Sequence, residues 1–216
     1  MKERPILFSA PMVRAIPEGR KTQTRRVVKP QAITPSLLTE GAWKDASTGK
    51  PVRCPYGQPG DRLWVREAWS ETDRDDGTPV IAYRAGGCIA IGRDFPGGPD
   101  RLLHSIAWPD LPHVEKWCPS IHMPRWASRI LLEIVSVRAE PLQDISEADC
   151  WAEGIEEVMH DFDELGQAQM AKRLGCCIDD AKPLYAQLWQ SINGAGSWDA
   201  NPWVWVVEFK RAEVTK

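Results

Sequence analysis

No apolar run in this chain approaches the length needed to cross a bilayer, so a membrane-spanning helix is not expected. The opening Met1-Lys2-Glu3-Arg4-Pro5 leads only into a brief apolar run, Ile6 to Phe8, which is too short for a signal peptide. A cytoplasmic location is the expectation that follows. Signals for cysteine pairing are also missing. Cys54, Cys88, Cys118, Cys150, Cys176 and Cys177 show no C-x-x-C spacing, and neighbouring Cys176 and Cys177 are poorly placed to bridge each other. Reduced thiols are expected. Cys88 and Cys118 lie near His104, His113 and His122, but structural zinc sites pair their ligands at short spacing. Small, half-buried side chains are the favoured reading, and no metal is expected. Internal repeats and low-complexity tracts are absent as well, which excludes a solenoid.

Basic residues are missing from residues 140–166, which hold ten Asp or Glu and no Lys or Arg. Residues 1–30 are the reverse, with eight Lys or Arg against Glu3 and Glu18. The formal net charge of −3 argues against broad non-specific DNA binding, whereas the local basic cluster permits a focused anionic contact. The two segments can equally face each other within the fold. Tyrosine and phenylalanine are few, but eleven tryptophans are many for 216 residues. Most belong to a core; Trp64, Trp69, Trp203 and Trp205 sit in strand-like runs. A base-stacking platform would use one or two of the rest. The hydrophobic share of 43% is enough for one domain with insertions.

Pro5 to Phe8 predicts a short strand, and Ser9 with Pro11 predicts the start of a helix carrying Met12, Val13 and Ile16. Gly19 is placed as its left-handed cap, and Thr22 to Val28 predicts a strand. The proline- and glycine-rich stretch at about 29–58 predicts a surface excursion. Arg62 to Trp69 is a strong strand candidate. Residues 70–125 predict a loop-rich insertion, or lid, with one further strand at Val80 to Arg84. Ile130 to Val137 is the next strand. Ser146-Glu147-Ala148-Asp149 has the capping-box pattern for a helix ending at Gly154. A second helix is expected from about Asp161 to Arg173, and a third from about Ala181 to Ile192 with a Leu184, Leu188, Ile192 stripe. Trp203 to Phe209 closes the set as a central strand. Five or six strands with interspersed helices predict an α+β fold, a small mixed barrel with peripheral helices, over a single domain of residues 1–216.

The most informative stretch is Gly19-Arg20-Lys21-Thr22-Gln23-Thr24-Arg25-Arg26. A hydroxyl three residues from a lysine is raw material for a nucleophile and its base, and the same cations can clamp a nucleic-acid backbone. This segment resembles the G-x-K-x-x-E-x-R signature of the ASCH domains, a family of the PUA-like β-barrel superfamily, through Gly19, Lys21 and Arg26. It departs from that signature at Thr24, which stands where the family has glutamate. A branch of small bacterial ASCH proteins also has threonine there and hydrolyses N4-acetylcytidine and related acylated cytidines. Pro59-Gly60-Asp61-Arg62-Leu63-Trp64-Val65, the acidic helix from Leu142 to Ile155, and the closing strand from Trp203 to Lys210 are similar to further family segments. The resemblance covers about half the chain, and longer chains of this kind are similar to phage- and prophage-encoded proteins.

The resemblance implies an amidohydrolase with Thr24 as nucleophile, Lys21 as base and Glu153 as the carboxylate partner. Arg25, Arg26 and Glu67 are the candidate substrate-binding residues, Glu67 being also the second choice of carboxylate. No organic cofactor is implied, and the expected partner is a small nucleoside or single-stranded RNA. Residues 21 and 24 of a regular strand point to opposite faces. They converge only if Lys21 lies in the turn before strand geometry begins. Two other functions remain open: a PUA-like RNA-binding module without catalysis, and a phage accessory protein whose Trp117 to Trp126 segment contacts a protein partner. Residues alone also allow Glu153 to meet Lys21 or Arg26 as a structural ion pair.

Overall fold

A computed structural model describes residues 1–31, 33–35, 43–91 and 102–212, with the backbone alone at 34–35 and 102–108. Parts of both expected insertions, at 32, 36–42 and 92–101, lie outside the described residues. The chain begins with β1 (Glu3–Leu7), whose Ile6 is buried, and α1 (Ala10–Ala15), which buries Met12, Val13 and Ala15. Pro11 occupies the first turn of α1, where its missing N–H is no loss. The Ser9 carbonyl, rather than its hydroxyl, accepts the Val13 N–H at 2.9 Å. Gly19 follows in left-handed geometry at φ 74°, before β2 (Gln23–Val27).

The stretch expected as a surface excursion holds three short antiparallel strands, β3 (Ile33–Pro35), β4 (Trp43–Asp45) and β5 (Pro51–Val52). The strand expected from Arg62 to Trp69 divides in two. β6 (Arg62–Arg66) joins the main sheet, and after Glu67 and Ala68 the chain starts β7 (Trp69–Asp73) in another sheet. β7 pairs with β8 (Pro79–Tyr83), β8 with β9 (Cys88–Ile91), and β9 with β10 (Leu102–Trp108). The insertion is therefore a four-stranded antiparallel sheet rather than loops around one strand. It has its own apolar cluster of Trp69, Ile81, Tyr83, Ile89 and Met123. Strands of four or five residues separated by glycine turns are too short to show a clear period in sequence.

β11 (Leu131–Pro141), α2 (Glu147–Ala152), α3 (Glu164–Leu174), α4 (Ala181–Asn193) and β12 (Trp203–Arg211) complete the chain. The main sheet runs β1-β6-β11-β12-β2, with β1 parallel to β6 and the remaining pairs antiparallel. The fold is mixed α+β, and the strand pairing among the described residues does not close into a barrel. A side chain spans the gap between the edge strands instead: Arg26 of β2 donates to the Leu7 carbonyl of β1 at 2.7 Å.

Strand β12 is covered on both sides, as its apolar run requires. Trp205, Val207 and Phe209 enter a core with Ile6, Val13 and Leu63, while Val204 and Val206 pack with Leu184, Tyr185 and Trp189 of α4. The expected stripe on α4 is corrected at its end, where Ile192 is 64% exposed. Eight residues advance a helix by about 80° beyond two full turns, so position 192 rotates off the face that begins at Leu184. Tyr185 and Trp189 complete that face. No helix among the described residues is long and apolar enough to cross a membrane.

Candidate functional site

The Gly19 turn doubles the chain back so that the Arg20 and Lys21 N–H groups both donate to the Ala15 carbonyl, at 3.0 and 3.1 Å. Lys21 then forms an isolated bridge with Glu153, and the Thr22 N–H donates to the Ala152 carbonyl at 2.9 Å. Helix α2 is set in place by Ser146, whose hydroxyl accepts the Asp149 N–H at 3.1 Å. It ends at Gly154 with φ 79°, where a Cβ would meet the Cβ atoms of Lys21 and Ala15 at 3.0 and 3.1 Å. Only glycine allows this approach. Lys21 therefore lies before β2 begins, pressed against the end of the acidic helix.

The Lys21 side chain is 2% exposed, and its three hydrogen bonds use every donor of the ammonium. They reach the Gln23 carbonyl at 2.9 Å, the Glu153 carbonyl at 2.7 Å and Glu153 Oε2 at 3.0 Å. Glu153 Oε1 accepts from Arg25 Nη1 at 3.2 Å. The fully buried Arg25 side chain also donates to Glu140 at 2.7 Å and Asp149 at 3.0 Å. Arg138 joins the same two carboxylates at 3.0 and 3.1 Å and pairs with Glu208. The basic turn and acidic helix seen in the sequence thus face each other as one network, buried at Lys21, Arg25 and Glu153 and open to solvent at Arg138 and Glu208. Burial pushes the Lys21 ammonium below the ordinary lysine range; the adjacent Glu153 carboxylate opposes that shift, and Arg26 and Arg25 add to it.

Beside this network is a cavity of about 400 Å³. Lys21, Thr24, Arg25 and Glu153 line it, with Phe8, Tyr185 and Trp189 among its aromatic walls. Thr24 pairs with Val207 and Arg26 with Trp205, on the face opposite Arg25. All three reach the cavity because β2 is an edge strand that it wraps around. Arg26 also sits 5.5 Å from the Phe8 ring centroid. Among the described residues, no hydrogen-bond partner meets the hydroxyl of Thr24 or of Tyr185. The buried indole N–H of Trp189 also lacks one. The rim is apolar, with Leu7, Val27, Ile121 and Ile192 exposed there. Ser120 and Ile121 bring the proline- and tryptophan-rich segment of the insertion to this rim.

No protein-family model matches this chain, and no curated protein or solved structure does either.

Of the residues singled out by sequence, Lys21, Thr24, Arg25, Arg26 and Glu153 come together at this cavity. Glu67 does not line it. Its carboxylate is held by Arg129 through two bonds of 2.8 and 2.9 Å, and it is neither outward-facing nor beside Lys21. Burial pushes the Glu67 carboxyl up, against the pull of Arg129. Arg129 also donates to the Gly86 carbonyl at 2.8 Å and lies 4.1 Å from the Tyr83 ring centroid, so this pair ties the main sheet to the insertion. Sequence reasoning missed Phe8, Tyr185 and Trp189 at the cavity. An aromatic pair four residues apart on α4 was the available signal. Among the described residues, no three His, Cys, Asp or Glu side chains are grouped to hold a metal ion, and the His104 side chain lies outside them.

Proposed function

We propose that this protein hydrolyses an amide, with N4-acylated cytosine nucleosides as the substrate class. The observation that carries the reading is Thr24, whose hydroxyl opens on the cavity without a hydrogen-bond partner among the described residues, beside a desolvated lysine and its carboxylate. Buried hydroxyls are normally hydrogen-bonded, and one left open toward a cavity is available to a ligand. The Tyr185 hydroxyl is a second such group, suited to a polar edge of the substrate. The Phe8 and Trp189 walls suit a flat pyrimidine. The ASCH-like reading of the fold accompanies this proposal, as a barrel whose last gap is spanned by Arg26.

In this mechanism the Lys21 ammonium first gives up a proton to solvent, since burial favours the neutral amine. The freed lone pair takes the Thr24 proton as Oγ1 attacks the acyl carbon. Lys21 returns that proton to the departing N4 nitrogen as the C–N bond breaks, releasing the cytosine amine. Water, deprotonated by Lys21, then attacks the acyl-threonine ester, and the carboxylic acid leaves as Thr24 regains its proton. The rival reading, a phosphate clamp for RNA, asks Lys21, Arg25 and Arg26 to face an anion, and Arg26 donates to the Leu7 carbonyl. The donors of Lys21 and Arg25 are engaged by carboxylates and carbonyls.

Incubation with N4-acetylcytidine and measurement of cytidine release tests the proposal. Thr24→Ala is expected to lower the rate by a factor of about 100 or more, with Thr24→Ser restoring part of it. Because the neutral lysine is the working base, the rate should rise with pH through the Lys21 ionisation, which burial places below the ordinary lysine range. Release unchanged by Thr24→Ala, or no release by the unaltered protein, overturns the assignment.

A further inference from the structure

A second cavity, of about 750 Å³, lies between the main sheet and the small β3–β5 sheet. Its charge is one-sided. Lys2, Arg4, Lys44 and Arg53 line it, and Asp61 is the sole carboxylate among the described lining residues. Asp61 is already engaged, its two oxygens accepting the Lys2 backbone N–H at 2.8 Å and Arg4 Nη1 at 2.9 Å. The side chains of Lys2, Lys44 and Arg53 form no ion pair with any described residue. Three cations around one concavity, without an ion-pair partner among the described residues, stand out in a chain whose net charge is −3. A cleft with low-dielectric walls focuses such a field on an anion.

The same cavity has an aromatic side. Trp43 lines it and is only half-buried; its ring is braced against Trp203, with centroids 5.2 Å apart and planes tilted by 59°. Val52, Val137 and Trp205 continue the apolar lining. A simple inorganic anion has no use for that surface, and an apolar ligand has none for the cations. A ligand with a phosphate at one end and a flat ring at the other uses both.

We propose that this cavity binds a nucleoside phosphate, its phosphate held by Lys2, Lys44 and Arg53 and its base laid on Trp43. The site shares no lining residue with the cavity at Lys21 and Thr24, so it stands independently of the hydrolase reading. The nucleotide is either free or part of a single strand, since the shared chemistry is the phosphate and the base.

Calorimetric titration of the full chain with each of the four common nucleoside 5′-monophosphates, their nucleosides, inorganic phosphate and a thymidine decanucleotide tests this. At least one monophosphate is expected to bind saturably, and about tenfold or more tighter than its nucleoside or inorganic phosphate. Lys44→Glu with Arg53→Glu should weaken it by at least about tenfold, and the milder Lys44→Gln with Arg53→Gln should weaken it less. Trp43→Leu should weaken nucleotide binding while leaving phosphate binding unchanged. Thr24→Ala should leave nucleotide binding unchanged even where it abolishes hydrolysis. A decanucleotide that binds far more tightly than any monophosphate, with a steep salt dependence, identifies a strand as the source; equal affinity identifies the free nucleotide. No saturable binding of any nucleotide at millimolar concentration overturns the proposal, as does binding indifferent to both double substitutions.

Discussion

Arg25 illustrates how little the identity of a charged residue says about its task. From sequence it is one of four cations in a turn and a candidate for substrate binding, yet its buried guanidinium joins Glu140, Asp149 and Glu153. Removing one partner from a buried ion pair leaves the other uncompensated, so Arg25→Met is expected to cost about 3–5 kcal/mol in urea unfolding. Lys21→Met should cost less, because Arg25 still meets Glu153. It has a second signature. Burial lowers the Lys21 value in the folded state, so between that value and the ordinary lysine value of about 10.4 the unfolded chain binds more protons. Stability therefore gains from Lys21 as pH rises through that window, and Lys21→Met should remove this part of the slope. Unfolding curves with the same slope in both proteins would contradict the assignment.

At the scale of elements, helix α2 and its ends do the positioning. The Ser146 cap was legible in the sequence because a capping box depends only on residues within one turn. Ser146→Ala should lower stability by about 1 kcal/mol. Gly154 was legible as a stop, but the reason for glycine there was not, since it lies in the Cβ atoms of Lys21 and Ala15. Gly154→Ala combines a left-handed backbone with that clash and should cost at least about 1–3 kcal/mol in chemical denaturation. Gly19→Ala meets no atom within 4 Å, so only the backbone penalty of about 1–2 kcal/mol applies. A larger loss at Gly19 than at Gly154 would refute the packing argument. The sheet in the insertion was not legible, because its short strands gain their definition from pairing across distant turns.

For the whole molecule, Asp61 is the point where the chain's first strand is fastened to the turn before β6. The Lys2 N–H, and then Arg4, hold its carboxyl below the usual aspartate range. A carboxyl with a lowered folded value contributes stability that is present above its unfolded value and is lost as pH falls through the folded one. Asp61→Asn should therefore melt at a lower temperature than the parent near neutral pH, and the difference should shrink below about pH 4. A difference that persists at low pH would assign the effect to packing instead. The mixed α+β class, the capped acidic helix, the Gly19 turn and the opposed charges of the two segments were all present in the order of residues. Each depends on local backbone preference or on composition, which neighbours in the chain already specify. The open sheet edge spanned by Arg26, the insertion's own sheet, the burial of Glu67 with Arg129 and the aromatic walls at Thr24 were decided only in three dimensions. They join residues far apart in the chain, and no local preference records which distant partner a side chain will meet.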